Sequence, residues 1–167
     1  MEHLGFGYVT GGTITKEPRP GNLSPRLLRI KSDKSLINSM GFPGEGVESA
    51  ATRLENLPRN PETRRVVSIS GTTTKDIVAC QTTIQRFCSA LEINISSPNT
   101  AGLRIFQQKP KLLELLTALN QNKKVPIFVK FPPFQVDSKE SIPEETQDIV
   151  EACIECDIDA VTLANTI

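Results

Sequence analysis

Five short β-branched runs, separated by stretches of helical period, constrain this chain more than any single residue does. The runs are Phe6–Thr10, Val66–Ser70, Leu91–Ile95, Ile127–Phe131 and Ala160–Ala164. Between the last four, Lys75–Ala90 places Ile77, Cys80, Ile84 and Phe87 on one helical face. Pro110–Gln121 places Leu112, Leu115, Leu116 and Leu119 at i, i+3, i+4 and i+7. Pro143–Cys156 opens with Ser141-Ile-Pro-Glu144, a capping-box pattern with an early proline, and carries a stripe of Ile149, Ala152, Cys153 and Cys156. Gly46–Leu57 reads as one more helix, ahead of a Pro/Arg-rich connection at Pro58–Arg65. Regular β-α alternation with near-continuous apolar strands predicts an α/β fold whose parallel strands are buried on both faces. The long segment Gly11–Glu45, rich in Pro, Gly and Arg, predicts a small hairpin and an active-site loop rather than a second domain.

The strands share a second property: each ends in short polar residues. Gly11-Gly-Thr13 follows the first, and Ser68-Ile-Ser-Gly71 closes the second. Asn94-Ile-Ser-Ser-Pro-Asn-Thr100 follows the third, Lys130 closes the fourth, and Asn165-Thr166 follows the fifth. In parallel α/β proteins ligands bind at the C-terminal ends of the strands. These ends would form a mouth rich in amides and hydroxyls and poor in carboxylates, suited to a neutral or anionic heterocycle rather than a metal. Charge agrees: Lys+Arg and Asp+Glu are balanced at 19 each, which argues against nucleic acid or an anionic membrane as the main partner. No apolar run reaches the length of a membrane span, and the N-terminus lacks a signal-peptide pattern. Four cysteines in 167 residues do not form a disulfide framework, so a reduced, soluble, cytoplasmic protein is expected.

The remaining motifs divide into packing and chemistry. Cys153-Ile-Glu-Cys156 is a lone CxxC on an apolar helical stripe, in a chain with one histidine, and is read as core packing with no metal. His3 has no nearby partner, which removes a Ser-His-Asp triad, and no GxGxxG links a strand to a helix. Lys130 ends an apolar strand, where a lysine either meets an anionic or polar ligand or snorkels from the strand end. Ser97 has no histidine to activate it, so it needs a relay or a reactive leaving hydride; otherwise Ser96-Ser97-Pro98-Asn99 only shapes a turn. Asn38 and Phe42 lie in a glycine-containing segment that also reads as an ordinary turn.

Taken together, the motifs resemble those of dihydroorotate dehydrogenases. Asn94-Ile-Ser-Ser-Pro-Asn-Thr-Ala-Gly-Leu-Arg104 is similar to that family's signature almost letter for letter. Gly11-Gly-Thr-Ile-Thr15 with Pro18-Arg-Pro-Gly-Asn22 and Pro25-Arg26 resembles its second-strand motif. Asn38-Ser-Met-Gly-Phe42, Val129-Lys-Phe-Pro-Pro133 and Ala164-Asn-Thr166 follow in the family's order. The resemblance covers the whole chain and implies an FMN-containing TIM (β/α)8 barrel that oxidises dihydroorotate to orotate in pyrimidine biosynthesis.

Carried over by position, the resemblance implies Ser97 as the catalytic base and Thr100 as a proton relay. It implies Asn38, Asn94, Asn99 and Asn165 around the substrate's carboxylate and amide edges, with Phe42 packed beside it. Thr13, Ser68, Asn94 and Lys130 would contact FMN. Serine at position 97 resembles the membrane-associated, quinone-reducing branch, which would make the protein membrane-peripheral. Asn38-Ser-Met-Gly and Lys130-Phe-Pro-Pro resemble the soluble branches, and Ala164 replaces an expected threonine or serine. The electron acceptor is therefore left open between a quinone and fumarate. Residues 1–167 correspond to one partial barrel domain, about strands two to six of eight. Such an arc is expected to have two unpaired edges and an exposed apolar inner face. The first strand, with a second flavin-contacting lysine, and the phosphate-binding seventh and eighth strands would be absent. The alternatives are a non-catalytic remnant of the family and another FMN barrel acting on pyrimidines.

Overall fold

The computed structural model describes residues 4–58, 62–97, 102–134 and 142–165. Five parallel strands form one sheet in the order β1 (Tyr8–Ile14), β4 (Arg64–Ile69), β5 (Ala90–Asn94), β6 (Ile127–Lys130) and β7 (Ala160–Thr162). Two further strands, β2 (Leu27–Ile30) and β3 (Ser35–Asn38), pair antiparallel in the segment expected to hold a hairpin. Four helices connect the parallel strands: α1 (Gly46–Glu55), α2 (Thr74–Ile84), α3 (Lys109–Asn120) and α4 (Glu144–Glu155). Sheet neighbours follow chain order with helical crossovers, as in an arc of a (β/α) barrel.

The core lies between the sheet and its helices. Alternation sends Val67 and Ile69 of β4, Leu91 and Ile93 of β5, and Ile127 and Val129 of β6 to the helix side. They meet Ile77, Cys80 and Ile84 of α2, Leu112, Leu115, Leu116 and Leu119 of α3, and Ile149, Ala152 and Cys153 of α4. The helices α2, α3 and α4 therefore bury the stripes that their 3.6-residue period predicts, with Phe87 and Cys156 only partly covered. Between α3 and α4, the Lys109 ammonium lies 2.7 Å from carboxylate oxygens of both Glu151 and Glu155.

The other face departs from expectation. It carries Ser68, Glu92, Asn94, Lys130 and Thr162, with Val66, Ala90, Phe128 and Ala160 among them. The expected exposed apolar inner face is thus corrected to a mixed one that is polar toward the C-terminal strand ends, because the largest aliphatic residues of each strand alternate to the helix side and Val66 and Ala90 are buried. Element ends differ as well. The first strand runs to Ile14 rather than stopping at Thr10, since Gly11–Ile14 continues the pairing with β4 across an irregularity. The helix expected over Lys75–Ala90 ends at Ile84, tightens into a 3-10 turn at Gln85–Phe87, and frees Ala90 to pair with Val66. Pro143 stands at the N-cap of α4 without a side-chain cap, and Ser141 of the expected capping box lies outside the described residues. The last strand stops at Thr162, before Leu163 and Ala164.

Candidate functional site

The inner mouth of the arc is organised around Asn94, the last residue of β5. Its Oδ1 accepts hydrogen bonds from the Ser96 backbone N–H at 3.0 Å and from the Ser96 hydroxyl at 2.7 Å. This is an Asx-type turn, in which the side chain bonds to the backbone two residues on and curls the chain off the strand. The Asn94 Nδ2 donates to Thr13 Oγ1 at 2.8 Å, and Thr13 Oγ1 lies 3.1 Å from Ser68 Oγ. The Ser70 hydroxyl donates to the Asn94 carbonyl at 2.7 Å. A side-chain amide offers two acceptor and two donor positions. Among the described residues three of those four are used, leaving one N–H of Asn94 for a ligand.

Thr13 reaches this cluster because of Gly12. Gly12 has φ +124°, and a Cβ there would lie 2.4 Å from the Ser68 carbonyl oxygen. Only glycine tolerates both the conformation and the contact. The pairing of β1 with β4 shifts between Gly11 and Ile14, and the shift turns Thr13 toward Ser68.

Beyond β5, the turn leaves Ser97 buried, with 6% of its surface exposed. Lys130 stands beside Asn94 in the parallel register, and Thr162 stands beside Lys130. Among the described residues Lys130 makes no ion pair, so its ammonium is available to a polar or anionic ligand. Asn165 closes the far side: its N–H donates to the Phe131 carbonyl at 3.2 Å, and its Nδ2 donates to the Ser96 carbonyl at 3.3 Å.

Of the residues singled out in the sequence, the structure thus gathers Thr13, Ser68, Asn94, Ser97, Lys130 and Asn165 at adjacent strand ends. Asn38 is exposed at the end of β3, in the separate hairpin sheet, and the Asn94 cluster does not include it. Phe42 is half-buried against the core with φ +56°. Asn99 and Thr100 lie outside the described residues. Ser70 and Ser96 enter the sequence reading only within strand-end motifs, and Glu92 and Thr162 have no part in it, although the period-2 alternation of each strand points all four to the same face. Glu92 is the least expected, because it interrupts an otherwise apolar strand.

The marked shifts in acidity fall elsewhere. Burial pushes the Cys80 and Cys153 thiols up to about 12. Both face the helix-side core, and all four cysteines are free thiols.

A family model described as dihydroorotate dehydrogenase matches residues 1–167. The chain belongs to the dihydroorotate dehydrogenase family. It is 36% identical over 182 residues to a dihydroorotate dehydrogenase (quinone) of Streptomyces griseus, an alignment covering 99% of this chain and 47% of that protein. A second relative with the same description, from Mycobacterium bovis, is 35% identical and covered to 45% by 98% of this chain. Among solved structures, the crystal structure of DHODH from Eimeria tenella in complex with ferulenol superposes with a TM-score of 0.86 at 30% identity. That match covers 98% of this chain and 51% of the other. The ligand-free form from the same organism gives a TM-score of 0.83, also at 30% identity, over 97% of this chain and 52% of that one. The chain spans about half the length of the curated dihydroorotate dehydrogenases it matches. The five parallel strands are therefore a partial barrel, with the inner mouth on the side where barrel ligands bind. Among the described residues, no helix is long and apolar enough to cross a membrane.

Proposed function

We propose that this mouth is the substrate and flavin site of a dihydroorotate oxidation, with FMN as the cofactor and a quinone as the final electron acceptor. The observation that carries the reading is the register that sets Lys130 beside Asn94, with Ser97 buried three residues beyond it. The donor set fits an isoalloxazine edge: hydroxyls on Thr13 and Ser68, one remaining amide N–H on Asn94, and one cation on Lys130. When bound, FMN supplies the acceptor for the hydride leaving the substrate ring. Ser97 takes the proton from the neighbouring ring carbon, and Thr100 passes it toward solvent. Lys130 would hold the flavin with its positive charge and favour negative charge on it. Asn99 and Asn165 hold the carboxylate and ring amides of dihydroorotate, while Asn38 and Phe42, which stand in the hairpin segment apart from the Asn94 cluster, would close on the substrate from that side. The quinone follows from Ser97 and from the names of the relatives, which carry that acceptor.

The test starts with the purified protein, FMN titrated by fluorescence quenching, and dye reduction with dihydroorotate. Yellow protein that reduces the dye is expected. In it Ser97→Ala keeps the flavin and loses turnover by about 10²–10⁴-fold, while Lys130→Ala weakens flavin binding or slows its reduction. Full turnover in Ser97→Ala would remove the base assignment, and an unaffected Lys130→Ala would return that lysine to a snorkelling role. A second reading rests on the half-length match: a member of the family that has kept the substrate mouth without catalysis. A colourless protein that never reduces the dye would favour it.

A further inference from the structure

Glu92 is a buried carboxylate, 5% exposed, on the inner face of β5. Its side-chain partner is the Thr162 hydroxyl, which donates to Oε2 at 2.9 Å. That bond does not run between adjacent strands. It passes from β5 to β7 across the inner side of β6, where Phe128 is level with Glu92 and Lys130 is level with Thr162. Glu92 and Lys130 are therefore diagonal neighbours on one face, with Cβ atoms roughly 8 Å apart from strand spacing and rise. Bending toward Thr162 carries the carboxylate to the Lys130 level of the sheet.

Charge on this face is sparse. Among the described inner-face residues of the strands, Arg64 is the other charged one, four residues before Ser68 and exposed at the opposite end. Lys16, at the exit of β1, is engaged by Asp76 and Glu17. A buried carboxylate whose donor among the described residues is one hydroxyl calls for a compensating cation. Lys130 is the cation placed to supply it, and it has no ion pair of its own among the described residues.

We propose that Glu92 is a positioning residue that acts through Lys130: held by Thr162, it sets where the ammonium sits and how much positive charge the lysine presents to a flavin. This rests in part on the flavin reading above, but the coupling of Glu92 to Lys130 does not. It predicts that removing the carboxylate charge leaves the Lys130 amine less restrained and more open to reagent and, with flavin bound, leaves its positive field less compensated.

Glu92→Gln is the informative substitution, because Gln Oε1 still accepts the Thr162 hydrogen bond and only the charge is lost. The flavin-free protein and its variant are labelled with limiting acetic anhydride between pH 8 and 10, and each lysine is read by mass spectrometry. Lys130 is expected to label several-fold faster in the variant. Lys111, paired with Glu114 on the surface, serves as the unchanged reference. Glu92→Asp retains the charge and is expected near the wild-type rate; it carries the comparison if the glutamine variant does not fold. A Lys130 rate unchanged in folded Glu92→Gln, or an Asp variant as fast as a Gln variant, overturns the coupling. With FMN bound, the flavin midpoint potential is expected to rise in Glu92→Gln, and no rise overturns the effect on the flavin. If the wild type binds no FMN, the flavin reading fails while the labelling still decides the coupling.

Discussion

Gly12 shows how much of the mouth depends on one missing methyl group. A Cβ at φ +124° would meet the Ser68 carbonyl at 2.4 Å, so Gly12→Ala must displace either β1 or β4. A loss of about 2–4 kcal/mol is expected, measurable by urea denaturation, and an unchanged midpoint would contradict the contact. The core thiols lead to a second prediction. Burial raises the Cys80 and Cys153 thiols from the ordinary 9.0 to about 12. Their folded pKa lies above the unfolded one, so their contribution to stability is complete below pH 9 and is lost as pH rises toward 12. Denaturation midpoints should therefore fall across that window, and Cys80→Ala should fall less steeply than the wild type. At this scale the sequence was partly legible. Asn94 and Thr13 stood out as polar residues after strands, but their hydrogen bond joins positions 81 residues apart and depends on register.

Helix positions were legible because each helix carries its own period, whereas helix ends were set by neighbours. Ile77, Cys80 and Ile84 mark the buried face of α2, yet the helix stops short of Ala90 because that residue is needed by the sheet. At its start, Thr73 Oγ1 accepts from the Asp76 N–H at 3.2 Å, and the Thr73 hydroxyl donates to the Asp76 carboxylate at 2.8 Å. Thr73→Ala should cost about 1 kcal/mol, read as a lower thermal midpoint, while Thr73→Ser should restore most of it. The strands were legible in number but not in facing. The runs looked apolar throughout, and pairing shows that β4, β5 and β6 are apolar toward the helices and largely polar toward the mouth. Glu92 was hidden for that reason: one charge in an apolar run carries no facing until the register is known.

The arc as a whole has β1 and β7 at its two edges. Unpaired strand edges are templates for further pairing. Val161 and Leu163 are also 44% and 66% exposed at the β7 side, and Leu27, Leu28, Leu36 and Ile37 are exposed on the hairpin. The 167-residue chain expressed alone should therefore associate as its concentration rises. Light scattering would show this, and Val161→Lys should reduce it; a strictly monomeric wild type at high concentration would contradict the argument.

The sequence by itself determined the α/β alternation, the order of motifs and their resemblance to dihydroorotate dehydrogenases, because those signals are local and ordered along the chain. Tertiary structure alone decided that Asn94 spends three of its four amide positions on Ser96 and Thr13, that Asn38 stands apart in the hairpin, and that Glu92 reaches Thr162 across β6. Each of these depends on which residues share a level of the sheet, and register arises between strands rather than within any one of them.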